Sequence, residues 1–189
     1  TSVSPSSITL DLAASLGEVT RASGNLTLDA FGFFRVSGNL NLDKSTRSIK
    51  LGDVAATTDV DESENAVAVD ALLLGGSDLT AFAGVNGGQA DATGLSLTGV
   101  NFALAMLTEQ SPAEGETARE WTALQANATG ASFGGIDGLT IEASSISVAI
   151  NRAAEDTSLV DFDAQNLEVQ TGTSVSPSSI TLDLAASLG

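Results

Sequence analysis

The residues of this chain that could do chemistry are its carboxylates together with Ser, Thr, Lys and Arg, because the sequence contains neither Cys nor His. Asp161 and Asp163 flank Phe162 in a segment that we predict to be a β-strand, and alternation along a strand points both carboxylates to one face. Two acids this close could share a proton in acid–base catalysis or hold a cation. The alternative is a pair of solvated acids on a polar face, which is the usual state of surface charges.

The densest acidic run is Asp59-Val60-Asp61-Glu62-Ser63-Glu64. Asp59, Asp61 and Glu64 could supply oxygen ligands to Ca²⁺, which takes about six to eight of them. The run is not an EF-hand loop, since the required Gly and Glu positions are missing, and a solvated loop is the alternative interpretation. With a net charge of −17 to offset, Ca²⁺ bound here or at the Asp161/Asp163 pair is predicted to raise the melting temperature.

Several function classes are excluded by composition. Thiolate and imidazole zinc sites, Ser–His–Asp triads and Cys–His nucleophiles are impossible without Cys and His. Seven basic against 24 acidic residues disfavour nucleic acid and anionic membrane surfaces, and no apolar run is long enough to predict membrane insertion. A glycoside-hydrolase cleft is poorly furnished, since Trp121 is the only Trp and Tyr is absent. We expect Trp121 to be a packing residue beside Leu124, in a two-turn helix over residues 117–126.

The elements that must position these residues are predicted to be strands. Apolar and polar residues alternate in Ile8–Leu12, Leu26–Leu28, Leu40–Leu42 and Ile146–Ile150, which is the period of a half-buried strand. Gly, Asn, Asp and Ser clusters interrupt these runs every ten to fifteen residues, which indicates hairpins or solenoid corners. The predicted fold is all-β, an elongated antiparallel sandwich or rolled sheet, with a β-solenoid as the alternative and at most one or two short helices. Residues 53–65 and 109–120 are predicted to be exposed loops.

The chain repeats its own beginning. Residues 1–17 and 173–189 are both TSVSPSSITLDLAASLG, identical at 17 of 17 positions with an offset of 172. Either the tail was appended to close a domain or the chain comes from a tandem array, and a long identity favours the array. We therefore divide the chain into one repeat unit, residues 1–172, and the start of the next identical unit, residues 173–189. Removal of residues 173–189 and of residues 1–17 is predicted to have unequal effects on melting, because only one copy can complete this unit's core.

A long, acidic, Cys-free β unit in tandem resembles the repeats of very large bacterial surface and secreted proteins, including the extender regions of giant adhesins. Gly75-Gly76-Ser77-Asp78-Leu79 is similar to one truncated copy of the calcium-binding nonapeptide (RTX) repeat. The resemblance implies a non-enzymatic spacer outside the cell or at its surface, with Ca²⁺ as a plausible ligand. Its partners would be neighbouring identical repeats, reached through residues 1–17 and 173–189. Two alternatives stay open: a self-assembling fibre or surface-layer unit, and a carbohydrate-binding or hydrolase domain that uses Asp161 and Asp163.

Overall fold

The computed structural model describes residues 18–52, 66–173 and 176–184. Within these ranges the chain is all-β and contains no helix. The strands are β1 Val19–Ala30, β2 Phe34–Lys50, β3 Ala66–Val85, β4 Thr93–Glu109, β5 Glu120–Ile136, β6 Leu139–Arg152, β7 Leu167–Gln170 and β8 Ser179–Leu182. The predicted helix over residues 117–126 is wrong, because residues 120–126 belong to β5. Alternation within EWTALQA suits a strand that buries one face, and packing outweighs its helical propensity.

Strands β1 to β6 form one antiparallel sheet in chain order, and β7 and β8 form a separate two-stranded sheet. Each strand of the large sheet pairs with the next one along the chain. The all-β prediction is confirmed. The described strands are a meander with a small second layer, so they do not form the coils of the alternative β-solenoid.

The small sheet and residues 153–166 pack on one face of the large sheet, which we call the covered face; the opposite face is the open face. The core lies between these two layers, over the half of the large sheet where β3 begins. It consists of Ile49, Val69, Ala71, Leu73, Ala103, Ala105, Leu107, Trp121, Ala123, Ala154, Val160, Phe162, Leu167, Val169, Leu182 and Leu184. On the open face, large apolar side chains stay partly exposed, with Met106 at 37%, Val148 at 43% and Ile150 at 44%.

Several Gly-containing clusters that were expected at corners lie inside long strands. Ser23-Gly24-Asn25 is in the middle of β1, and Gly75-Gly76 is in the middle of the 20-residue β3. Gly75 faces the small sheet, where an added Cβ would overlap the carbonyl oxygen of Gln170. This glycine therefore allows close approach of two layers. The expectation of a turn is correct at Asn86-Gly87-Gly88 and at Asp137-Gly138, which separate strands.

Cross-strand rows run perpendicular to the strands from β1 to β6. On the open face, one row is entirely apolar, with leucine on the four inner strands: Ala22, Leu42, Leu74, Leu104, Leu124 and Ile150. On the covered face, polar residues follow the end of the core in two paired sets: Asn25, Asn39 and Ser77 on β1 to β3, and Asn101, Asn127 and Ser147 on β4 to β6. Between the two sets the β3–β4 register shifts between Gly76 and Leu79, and the Asp78 amide donates to Asn101 Oδ1 at 3.1 Å. Asn25 Nδ2 donates to Asn39 Oδ1 at 3.3 Å. The 14-residue repeat of Ser-Gly-Asn-Leu thus places two asparagines opposite each other.

Candidate functional site

The candidate site is the strand that the repeated sequence supplies. β8, Ser179–Leu182, corresponds to residues 7–10 of the first copy. It pairs antiparallel with β7, with Leu182 opposite Leu167 and Ile180 opposite Val169. The relative exposure of Leu182 is 0% and that of Leu184 is 4%, and Ile180 packs against the same core. The prediction that Ile180, Leu182 and Leu184 share one buried face is confirmed.

Backbone hydrogen bonds fix this strand at both ends. At the β7–β8 turn, the Thr171 amide donates to the Ser178 carbonyl at 2.8 Å, and the Gly172 amide donates to the same oxygen at 3.1 Å. Beyond the strand, the Leu184 carbonyl accepts from the Phe162 amide at 3.3 Å. Both main-chain pairing and side-chain burial therefore hold residues 178–184 in the small sheet.

The large sheet offers a matching surface to the small one. Ser77 Oγ donates to the Thr171 carbonyl at 3.0 Å, and Asn41 Nδ2 donates to the Gly172 carbonyl at 3.0 Å. These side chains satisfy carbonyls at the point where β7 leaves its ladder. The close approach at Gly75 lies beside them. The surface that receives the small sheet is thus not only apolar: its polar side chains also fix the position of the backbone at Thr171 and Gly172.

Trp121 is the packing residue that the sequence predicted, but in a strand instead of a helix. It is 2% exposed, and its Nε1 donates to the Ser158 carbonyl at 3.1 Å and to Ser158 Oγ at 3.2 Å. Alternation along β5 places Leu124 on the open face, so the two residues do not pack side by side. The Arg119 guanidinium lies 5.2 Å from the Trp121 ring centroid. Trp121 thereby joins β5 to the segment that covers it.

Arg119 connects the ends of the exposed 110–119 loop to the cover. It pairs with Glu109 at 2.8 Å and with Asp156 at 3.4 Å. The hydrogen bond from Arg119 holds the pKa of Glu109 below its ordinary value, and the bond from Ser158 does the same for the pKa of Asp156. The side chains of this group all have internal partners, which is the pattern of a structural clamp.

Asp43 is a buried acid that the sequence analysis missed. It accepts from Arg21 Nε at 2.6 Å and from Ser45 Oγ at 2.6 Å, and Arg47 lies 3.7 Å away. Burial raises the pKa of Asp43, but the hydrogen bonds from Ser45 and Arg21 outweigh it, so the pKa lies below its ordinary value. Only the strand register brings Arg21 opposite Asp43. The sequence did hold one signal for a buried acid: in the alternation along β2, Asp43 falls on the same face as the core residue Ile49.

The predicted strand around Asp161 and Asp163 is wrong, because both residues lie in a turn. The next regular strand along the chain is β7. Asp161 Oδ1 accepts from the amides of Asp163 and Ala164, at 3.0 and 3.1 Å. Phe162 between them is fully buried. One carboxylate of the pair is thus occupied in stabilising its own turn.

The remaining metal candidates, Asp59, Asp61 and Glu64, lie outside the described residues. Across the described ranges, no group of three or more acidic side chains is placed to hold a metal ion. Ca²⁺ binding therefore stays a prediction. No helix in the described part of the chain is long and apolar enough to cross a membrane.

Fold and site together define an all-β meander whose core is completed by a repeated strand. Comparisons with protein-family models, with curated proteins and with solved structures find no match for this chain.

Proposed function

We propose that this chain is a non-enzymatic structural repeat module in which the first strand of each unit completes the core of the unit before it. One observation carries the proposal. The segment 173–189, identical to residues 1–17, supplies β8, whose Leu182 and Leu184 are buried in the core. In a tandem array the same segment would belong to two units at once, closing one and leading into the next.

Such shared strands suit a spacer whose folded units must stay docked to one another when the chain is pulled. Separating two units would require β8 to leave β7 and to expose Leu182, which is fully buried. Residues 1–172 carry a net charge of −16, since Asp183 duplicates Asp11, so successive units repel and the array stays extended. The resemblance to repeats of giant bacterial surface proteins supports a location outside the cell.

The identical segments supply a matched control for the first test. Leu182→Ala and Leu10→Ala are the same substitution in the same 17-residue sequence. We expect Leu182→Ala to lower the free energy of unfolding by about 3 kcal/mol, because it leaves a cavity in the core. Leu10→Ala should cost less than about 1 kcal/mol, because a single unit has no preceding unit to receive residue 10. Urea unfolding followed by circular dichroism measures both, and equal losses would contradict the proposal.

Complementation gives a second, independent test. A chain ending at residue 172 should melt at a lower temperature, and a synthetic peptide TSVSPSSITLDLAASLG should restore part of the lost stability by binding only the folded form. The same peptide with Asp at the position of Leu182 should restore none. Rescue by both peptides, or by neither, would argue against a specific receiving surface.

A further inference from the structure

Resting on the proposed function, we propose that β6 of one unit pairs antiparallel with β1 of the next unit, so that successive six-stranded sheets join edge to edge. The occupant of each free edge would therefore be a second copy of this repeat. The large sheets of an array would form one continuous meander, with β8 of each unit acting as the connection between its sheet and the following one.

Both outer strands of the large sheet are long. β1 has 12 residues and β6 has 14, and in the described fold each has a strand neighbour on one side only. Edges of this kind are normally blocked by Pro, by charges or by shortness. The three prolines lie outside both strands. The charged residues of β6 are Glu142 near its start and Arg152 at its end, and those of β1 are Arg21, which pairs with Asp43 on β2, and Asp29 near its end. The β6 edge is thus left open to another strand.

Strand direction fits the proposed pairing. In an antiparallel meander of six strands, the first and last strands run in opposite directions. β6 ends at Arg152 in the covered half of the sheet, and β1 starts at Val19 in the same half. A following copy of β1 placed beside β6 would therefore continue the antiparallel order without a long crossover.

The small sheet leads the chain toward this edge. β7 contacts β2, β3 and β4, whereas β8 contacts β4 and β5. At the end of β8, the Asp183 amide donates to Gln125 Oε1 on β5 at 3.5 Å. The chain has thus moved across the sheet to the strand next to β6. In the proposed tandem array, the residues after position 189 would repeat the sequence from Glu18 onward, and β1 begins at Val19.

The side chains of the two edges complement each other. When the cross-strand rows are continued from β6 into a following β1, Asn25 falls beside Ser147 and Ala22 falls beside Ile150. Ala22 is small and Ile150 is 44% exposed. The open face would then remain apolar across the junction, and the polar residues would continue on the covered face. Opposite residues on one face are the contacts that stabilise paired strands.

Cysteine cross-linking of the full chain tests this register, because the natural sequence has no Cys. Asn25→Cys and Ser147→Cys chains are mixed near 1 mM, about the effective concentration of linked modules, and oxidised. Directly opposed residues can form a disulfide, which requires Cβ atoms about 3.5–4.5 Å apart. We expect heterodimers of these two variants, and also of a second pair in the same register, Ser23→Cys with Ala149→Cys.

Ser132→Cys is the matched control, because Ser132 is exposed on the interior strand β5. We expect it to cross-link with Asn25→Cys at least about tenfold less than Ser147→Cys does, since diffusional encounters lack the pairing. Equal heterodimer yields with Ser147→Cys and with Ser132→Cys would overturn the edge pairing. A predominance of homodimers linked between two Asn25→Cys chains would overturn it as well. Such a result would leave the difference between Leu182→Ala and Leu10→Ala intact, so the two proposals can fail separately.

Discussion

At the residue scale, the acids with perturbed pKa values stabilise the fold. Asp43, Glu109 and Asp156 each accept hydrogen bonds from basic or hydroxyl groups, and the pKa of each lies below its ordinary value. The stability that such a group contributes is fully present above the ordinary carboxyl pKa of about 4. It is lost as the pH falls through the lower pKa of the folded state.

The first prediction concerns Asp43. Asp43→Asn should lower the free energy of unfolding at pH 7 by about 2 kcal/mol, because the hydrogen bonds to a charged group are weakened. It should also reduce the loss of stability below pH 4, since Asn does not titrate. Chemical unfolding at pH 7 and pH 3 measures both effects. Asp163→Asn, at an exposed site, is the control; a similar loss there would show that Asp43 has no special role.

A second prediction at this scale tests the close approach of the two layers. Gly75→Ala should destabilise the fold by about 2 kcal/mol or more, because its Cβ would overlap the Gln170 carbonyl oxygen and force the layers apart. Gly24→Ala is the matched control, since an added Cβ there meets nothing within 4 Å. It should be neutral or slightly stabilising. Thermal melting of both variants checks the contrast, and equal effects would refute the explanation.

At the element scale, alternation predicted the strands well. The runs Leu26–Leu28, Leu40–Leu42 and Ile146–Ile150 lie in β1, β2 and β6. What alternation did not predict was length, because Gly24 and Gly75 lie inside strands and were interpreted as corners. A glycine that admits a neighbouring backbone and a glycine that permits a turn look alike in sequence. Tertiary contacts alone distinguish them.

Some residues of the candidate site could be predicted from local sequence pattern and others could not. Local pattern was sufficient for Ile180, Leu182 and Leu184, whose spacing fixes a shared face. It was insufficient for Asp43, since its partner Arg21 is distant in sequence and adjacent only through pairing of β1 with β2. It was misleading for Asp161 and Asp163, because a short polar turn around a buried Phe162 has the same alternation as a strand.

The third prediction uses Trp121 to report on the contact between β5 and its cover. As the single Trp and 2% exposed, it should emit at short wavelength in the folded protein and shift to longer wavelength on unfolding. Trp121→Phe should cost about 1–3 kcal/mol, because Ser158 loses its indole donor and the core loses volume. Phe31→Leu, at a side chain 96% exposed, should cost almost nothing. Comparable losses would mean that Trp121 does not hold the cover.

At the scale of the whole molecule, charge and apolar surface oppose each other. The net charge of −17 keeps separate chains apart, whereas the open face and the two sheet edges favour association. In the proposed tandem array this conflict would be resolved, because linkage would supply a high local concentration of the correct neighbour. Free single units are then expected to stay largely separate at low concentration, and units in series to pair.

The last prediction follows from the same charge. Raising the NaCl concentration should raise the melting temperature by a few degrees, because screening weakens repulsion among the carboxylates. In a domain of this size, about 1 kcal/mol corresponds to roughly 2–4 °C.

Calorimetry at matched ionic strength separates charge screening from Ca²⁺ binding. If Asp59, Asp61 and Glu64 hold Ca²⁺, millimolar CaCl₂ raises the melting temperature further and EDTA reverses the gain. Asp61→Asn should abolish that additional rise while leaving the NaCl response unchanged. Equal melting temperatures in CaCl₂ and in NaCl of the same ionic strength would contradict specific Ca²⁺ binding, because charge screening alone would then explain the effect of both salts on stability.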